Sequence, residues 1–201
     1  MTEKVVTDNM LCSMKDIKPD RKKIELTNGQ ILLRPHRPGD IKATYQAIRE
    51  SLTELSPWLP FAHKDYSIKE TRDWFKKNPK EWKKGTAYEF GIFDTENGTI
   101  LGGCGLSEID KVNYRANLGY WVRTGRTGQG IAPIAARILA KWGFETLKLK
   151  RIEILVDTRN QRSLRVAEKA GAIREGTLRN RCTAHDKAHD AVMHSLVPGD
   201  I

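Results

Sequence analysis

The sequence predicts a single mixed α/β domain, a central sheet with helices on both faces. Three observations carry this reading. Secondary-structure signals run in the order strand hairpin, two helices, three strands, then helix, strand, helix and closing strands. The segment Ile152-Glu153-Ile154-Leu155-Val156 is a nearly continuous apolar run between two helical segments, as expected of a covered central strand. The chain has 201 residues, 39% hydrophobic and 30% charged, enough for one substantial core.

Taken in order, residues 1–22 read as a flexible extension, and residues 23–201 as the domain. Ile24–Thr27 and Gln30–Leu33 flank Asn28-Gly29, a tight-turn pair that tolerates positive φ. Asp40 is placed to cap a helix whose apolar positions Ile41, Tyr45, Ile48, Leu52 and Leu55 follow a 3.6-residue period. Pro57 and Pro60 end it around Trp58. Ser67 and Glu70 form a capping-box pattern ahead of Trp74 and Phe75. Tyr88–Phe93 and Thr99–Leu106 read as a hairpin, and Ala116–Val122 as a third strand. The next helix presents Ile134, Ile138, Leu139 and Trp142. A short helix opens at Asn160 and closes at Gly171. Strands near Ile173–Leu178 and Ala191–Val197 complete the chain.

Composition excludes several classes. No apolar run reaches the length of a membrane span, and Met1–Lys23 lacks a secretory core. Cys12, Cys104 and Cys182 are too far apart for a metal motif or disulfide framework, which fits a reducing, cytoplasmic setting. His185, His189 and His194 lie on a segment that reads as loop leading into strand, so no metal is expected. The net charge of +10 suits an anionic ligand or partner. The basic stretch Lys76–Lys84 comes without an RNA-binding signature, so direct nucleic-acid binding is not expected.

Two elements carry chemistry. Thr127-Gly128-Gln129-Gly130-Ile131-Ala132 links a strand to a helix. Its glycines let backbone approach a ligand, and N–H groups at a helix N-terminus favour phosphate. It is neither a Walker A loop, which needs Lys then Ser or Thr, nor a dinucleotide fingerprint, since Pro133 stands where the third glycine belongs. Asn160 and Ser163, at the start of the later helix, place an amide and a hydroxyl beside it.

Leu118-Gly119-Tyr120-Trp121-Val122, the glycine turn, and Asn160-x-x-Ser163-x-x-Val166-x-Glu168-Lys169-x-Gly171 occur in this order and spacing. So do Leu33-Arg34-Pro35 with Asp40, Pro57-Trp58-Leu59-Pro60, Gly85-Thr86-Ala87-Tyr88 and the closing strand Asp190–Leu196. Jointly, over residues 30–198, they resemble the GNAT superfamily of N-acetyltransferases, and within it the Rim branch, which acetylates the N-termini of ribosomal proteins. The resemblance implies a largely antiparallel sheet and acetyl-CoA as acetyl donor, without a metal. It implies that the backbone of Tyr120, Trp121 and Val122 pairs with pantetheine and that Thr127, Gly128, Gln129, Gly130, Ile131 and Ala132 hold the pyrophosphate. Asn160 would bond pantetheine, and Ser163 would protonate the leaving thiolate. Thr127 departs from the Gln or Arg usual at its position; Arg123 or Arg126 would supply the charge.

A neutral amine must attack the thioester, so a base is required. Glu108 is the candidate, with Glu89 second. Some Rim-branch members carry a glutamate near the position of Cys182, which this chain lacks. The expected acceptor is a protein N-terminal α-amine, such as that of a ribosomal protein. A polyamine or aminoglycoside acceptor, a CoA-holding module without turnover, and a ribosome-associated protein are the alternatives. A homodimer is compatible with the branch.

Overall fold

The computed structural model describes residues 17–201. In order, the elements are β1 (Leu26–Thr27), β2 (Ile31–Arg34), α1 (Ile41–Arg49), α2 (Leu52–Leu55), α3 (Ile68–Lys84), β3 (Tyr88–Asp94), β4 (Ile100–Asp110), β5 (Arg115–Val122), α4 (Ile131–Glu145), β6 (Arg151–Asp157), α5 (Gln161–Lys169), β7 (Ile173–Ala184) and β8 (Lys187–Leu196). The strands form one sheet in the order β1-β2-β3-β4-β5-β6-β8-β7. Every pairing is antiparallel except β5 with β6.

That one parallel pairing is short. Arg115, Ala116 and Asn117 pair with Arg151, Ile152 and Glu153, and there the register stops. β5 continues to Val122, still paired with β4, and β6 continues to Asp157, still paired with β8. The sheet therefore splays into two halves that part toward the C-terminal ends of β5 and β6. Each of those strands feeds a helix, α4 or α5, whose N-terminus sits at the opening. The carboxyl ends of parallel strands, at a break in sheet continuity, are where open α/β sheets place ligands.

Side-chain alternation along the strands divides the packing. Tyr88, Phe90 and Ile92 of β3, Leu106 of β4 and Leu118 of β5 join Ala135, Leu139 and Trp142 of α4 and Ala167 of α5 in one core. α4 and α5 thus cover the same face. Ala47 of α1 packs with Phe93, Ile100 and Trp121 on the other. Trp82 of α3 meets Tyr88, Phe90 and Trp142. It stands beside the part of β3 that β2, ending opposite Gly91, does not reach.

Several expectations change in detail. Asn28 does not take positive φ; Gly29 alone does. The Asn28 Oδ1 accepts from the N–H groups of Gln30 and Ile31, closing the turn of residues 28–31 between the paired Thr27 and Leu32. Asp40 precedes α1 but makes no side-chain cap, because its carboxylate grips Arg34 in two hydrogen bonds of 2.7 and 2.9 Å. The helix expected to run through Leu55 breaks between α1 and α2. There the buried Ser51 hydroxyl donates to the Ala47 carbonyl and accepts the N–H of Thr124, which ties the break to the loop leading into the glycine turn. β6 is central but alternates, with Ile152, Ile154 and Val156 buried and Glu153, Leu155 and Asp157 partly exposed. The closing strands are longer than expected, and their hairpin turns at His185 and Asp186, both at positive φ. The capping box of Ser67 and Glu70 forms, and Gly85 ends α3 at positive φ.

Most of the expected N-terminal extension, residues 1–16, lies outside the described residues. Within the rest of it, Ile17 packs against the core and an Arg21 guanidinium N–H donates to the His36 carbonyl at 2.5 Å. No helix among the described residues is long and apolar enough to cross a membrane.

Candidate active site

The glycine turn forms one lip of the opening. Gly128 and Gly130 have φ of 79° and 76°, values that suit glycine, and Gly130 is the N-cap of α4. The N–H groups of Gly128, Gln129, Gly130, Ile131 and Ala132 have no hydrogen-bond partner among the described residues. A Cβ at Gly128 would meet nothing within 4 Å, so the surface over the turn is open. Such an arrangement matches a phosphate's need for convergent N–H donors. Thr127 instead directs its hydroxyl back to the Thr124 carbonyl at 2.9 Å. Arg123 is committed to Glu50, whereas the Arg126 side chain makes no hydrogen bond or ion pair to a described residue. Of the two arginines considered beside Thr127, Arg126 is the one left to meet a phosphate.

α5 forms the other lip. Its N-cap Asn160 accepts the N–H of Ser163 on Oδ1 at 3.1 Å, leaving the amide NH2 without a described partner. Gly171 follows at φ 89°. The partly buried Ser163 hydroxyl lies 3.0 Å from the Tyr120 hydroxyl, and that hydroxyl also donates to the Ser163 carbonyl at 3.0 Å. Burial raises the Tyr120 phenol to about 12, with its hydrogen bond to Ser163 opposing the rise, so it stays protonated and able to donate. The bond spans the gap between β5 and α5. From Leu118 to Val122, the edge of β5 that faces β6 has no strand partner among the described residues. Its backbone is available to an extended ligand, as an unpaired strand edge is to a further strand.

The fold brings Tyr120, Trp121, Val122, the glycine turn, Asn160 and Ser163 around one opening. It does not bring Glu108 there. Glu108 lies in the irregular pairing between Ser107 and Asp110, exposed and at φ 51°. That is the end of β4 nearest the closed part of the splay, where β5 still pairs with β6. Glu89 is different: its carboxylate lies over Gly105 of β4, where a Cβ would collide with it.

The histidines do not converge. His185 meets the Ser56 carbonyl at 3.1 Å and His194 is buried in β8. No cluster of metal-ligating side chains occurs among the described residues. Near the opening, sequence reasoning missed a contact between the β6–α5 loop and the α2–α3 loop: Arg159, paired with Asp157 at 2.6 Å, stands 5.8 Å from the Trp58 ring. Neither partner carries a local sequence signal for the other.

Comparison with known proteins bears on this arrangement directly. The profile of the acetyltransferase (GNAT) domain family matches residues 30–173. YdaF of Bacillus subtilis (strain 168), provisionally named a ribosomal N-acetyltransferase, is 30% identical over 174 residues, covering 85% of this chain and 92% of its own. The ribosomal-protein-serine acetyltransferase of Escherichia coli (strain K12) is 27% identical over 157 residues, covering 78% and 87%. A crystal structure described as a probable acetyltransferase superposes with a TM-score of 0.80 at 28% identity, over 89% of this chain and 99% of that one. With a splayed sheet, a glycine turn heading α4 and Asn160 heading α5, the chain belongs to the GNAT family of N-acetyltransferases and resembles its ribosomal-protein branch; it is an acyltransferase.

Proposed function

We propose that the protein transfers acetyl from acetyl-CoA to a protein N-terminal α-amine, in the cytoplasm. The observation that carries this reading is the Tyr120–Ser163 contact at the mouth of the splay, flanked by the open N–H groups of the glycine turn. The residues fit acetyl-CoA in three places. Gly128 to Ala132, with Arg126, suit the pyrophosphate. The free edge of Tyr120-Trp121-Val122 suits the amides of pantetheine, and so does the Asn160 amide. Ser163 is then placed by the sulfur.

The chemistry asks little of the protein beyond alignment and proton handling. Binding one thioester and one amine in a fixed gap supplies the first. The Ser163 hydroxyl protonates the departing sulfur, and the Tyr120 hydroxyl holds Ser163 in position. The α-amine is favoured over a polyamine because relatives named a ribosomal N-acetyltransferase and a ribosomal-protein-serine acetyltransferase match 85% and 78% of this chain, against 43% for a spermidine N(1)-acetyltransferase. A mass-spectrometric competition tests the choice: peptides with free N-termini, N-terminally blocked lysine peptides, spermidine and an aminoglycoside are offered together with acetyl-CoA. Acetylation of the free α-amine ahead of the rest supports the reading, and preferential acetylation of spermidine or the aminoglycoside overturns it.

A further inference from the structure

On the face of the sheet away from α4, Glu89, Gly105 and Gly119 lie side by side on β3, β4 and β5. The next row is Gly91, Gly103 and Trp121. The two β4 glycines leave no side chain to stand up, so two neighbours lie flat across them. The Trp121 indole covers Gly103, with its Nε1 2.6 Å from where a Cβ would be, and the Glu89 carboxylate covers Gly105. Nothing stands over Gly119, where a Cβ would have no neighbour within 4 Å. Gly119 lies two residues past the last β5–β6 pair, on the strand that borders the opening. The Glu89 carboxylate is thus about one strand spacing, ~4.8 Å, from an uncovered surface at the edge of the splay. It makes no hydrogen bond to another described residue.

We propose that Glu89 is the general base of the transfer, taking a proton from the acceptor ammonium as it settles over Gly119. The inference rests on the acetyl-CoA reading above and adds the group that the reading lacks. One proton passes from the ammonium nitrogen to a Glu89 oxygen and on to water. The freed nitrogen lone pair forms the C–N bond at the thioester carbonyl carbon. The C–S bond breaks with its electron pair on sulfur, Ser163 protonates the sulfur, and the second nitrogen proton restores the Ser163 hydroxyl through solvent. One amide and one thiol form, and one proton is released.

Burial pushes the Glu89 carboxyl up to about 7, the Glu81 carboxylate adds to the rise, and the Lys77 ammonium opposes it. Glu81 and Lys77 act on it from α3, paired with each other at 3.1 Å, and the neighbouring Cys104 of β4 turns its thiol into the core on the opposite face. A carboxyl so raised is a stronger base than an ordinary glutamate while still half ionised near neutrality. It also carries a stability cost of known sign. The native state holds a proton that the unfolded chain has lost between the ordinary glutamate range and pH 7, so this group makes folding less favourable as pH rises through that window.

The test uses the whole enzyme with two peptide acceptors whose N-terminal amines differ in pKa. With Glu89 as base, the wild-type kcat/KM rises with pH along a limb near 7 that stays in place when the acceptor is changed. In Glu89→Gln, kcat at pH 7 falls about 100-fold, the limb moves to the acceptor's own amine pKa, and acetyl-CoA affinity stays within about twofold. The variant also melts at a higher temperature than wild type at pH 8, and that difference shrinks by pH 5. Gly105→Ala, which pushes the carboxylate off β4, provides a second variant and is expected to lose the same limb. A wild-type limb that follows the acceptor, or a Glu89→Gln enzyme that keeps the limb, overturns the proposal. So does its loss in Glu108→Gln and not in Glu89→Gln. Absence of thiol release by the wild type with every amine would instead sink the acetyltransferase reading beneath it.

Discussion

The Tyr120 hydroxyl reaches both the hydroxyl and the carbonyl of Ser163 at 3.0 Å, joining β5 to the first turn of α5 across the gap where the sheet parts. β5 and β6 share only three residue pairs, so this contact ties β5 to α5 where no strand pairing does.

Removing the Tyr120 hydroxyl should therefore act on turnover. Tyr120→Phe keeps the ring in its partly buried site and deletes both hydrogen bonds to Ser163, at a net cost of about 1 kcal/mol each. Steady-state kinetics are expected to show kcat lowered about tenfold with the acetyl-CoA dissociation constant within about twofold. An unchanged kcat would remove the positioning role.

The turn at Gly130 should answer to geometry. At φ 76° a side chain is strained by about 1–2 kcal/mol, and a branched one crowds the approach to the N–H groups. Gly130→Val is expected to weaken acetyl-CoA binding by at least tenfold in calorimetry, while the thermal midpoint drops only a few degrees. A folded variant with wild-type affinity would take the phosphate away from this turn.

The Arg34–Asp40 pair orients the loop that enters α1, and Arg34 also stands 3.7 Å from the Phe93 ring centroid. Burial alone would raise the Asp40 carboxyl, but the Arg34 hydrogen bond, the Arg37 N–H and the Arg34 charge outweigh it and lower it. A lowered carboxyl contributes stability that is present above the ordinary aspartate pKa of about 3.9 and is lost as pH falls through its native value. Asp40→Asn should cost about 3 kcal/mol at pH 7, as for other partly buried pairs left with one charge. Urea titrations should show the difference from wild type narrowing below pH 4. A difference that persists unchanged in acid would mean that shape, not charge, is what Asp40 supplies.

What the sequence disclosed was local. The positive φ of Gly128 and Gly130, the Asn160 cap and the Ser67–Glu70 box are each decided within a few residues, and each is found where residue type places it. The features it did not disclose depend on register between distant strands. Asp40 is a nearer case, reading as a cap until the turn at Pro38 brings it back to Arg34, six residues earlier. Glu108 and Glu89 are equally plain as glutamates on strands. Only the pairing of Glu89 with Gly105, and of Gly105 with Gly119, places one against the open face, while an irregularity in β4 leaves the other in solvent. The apolar run of β6 reads as covered on both faces because sequence cannot show that β5 turns away from it after Glu153.

The most direct test is thiol release from acetyl-CoA in the presence of a peptide with a free N-terminal amine, comparing wild type with Ser163→Ala and measuring acetyl-CoA affinity in parallel. The account predicts release by the wild type and a loss of about 100-fold or more in kcat for Ser163→Ala, with affinity within about twofold. Wild-type turnover that survives in Ser163→Ala, or a loss that tracks lost acetyl-CoA binding, would contradict it.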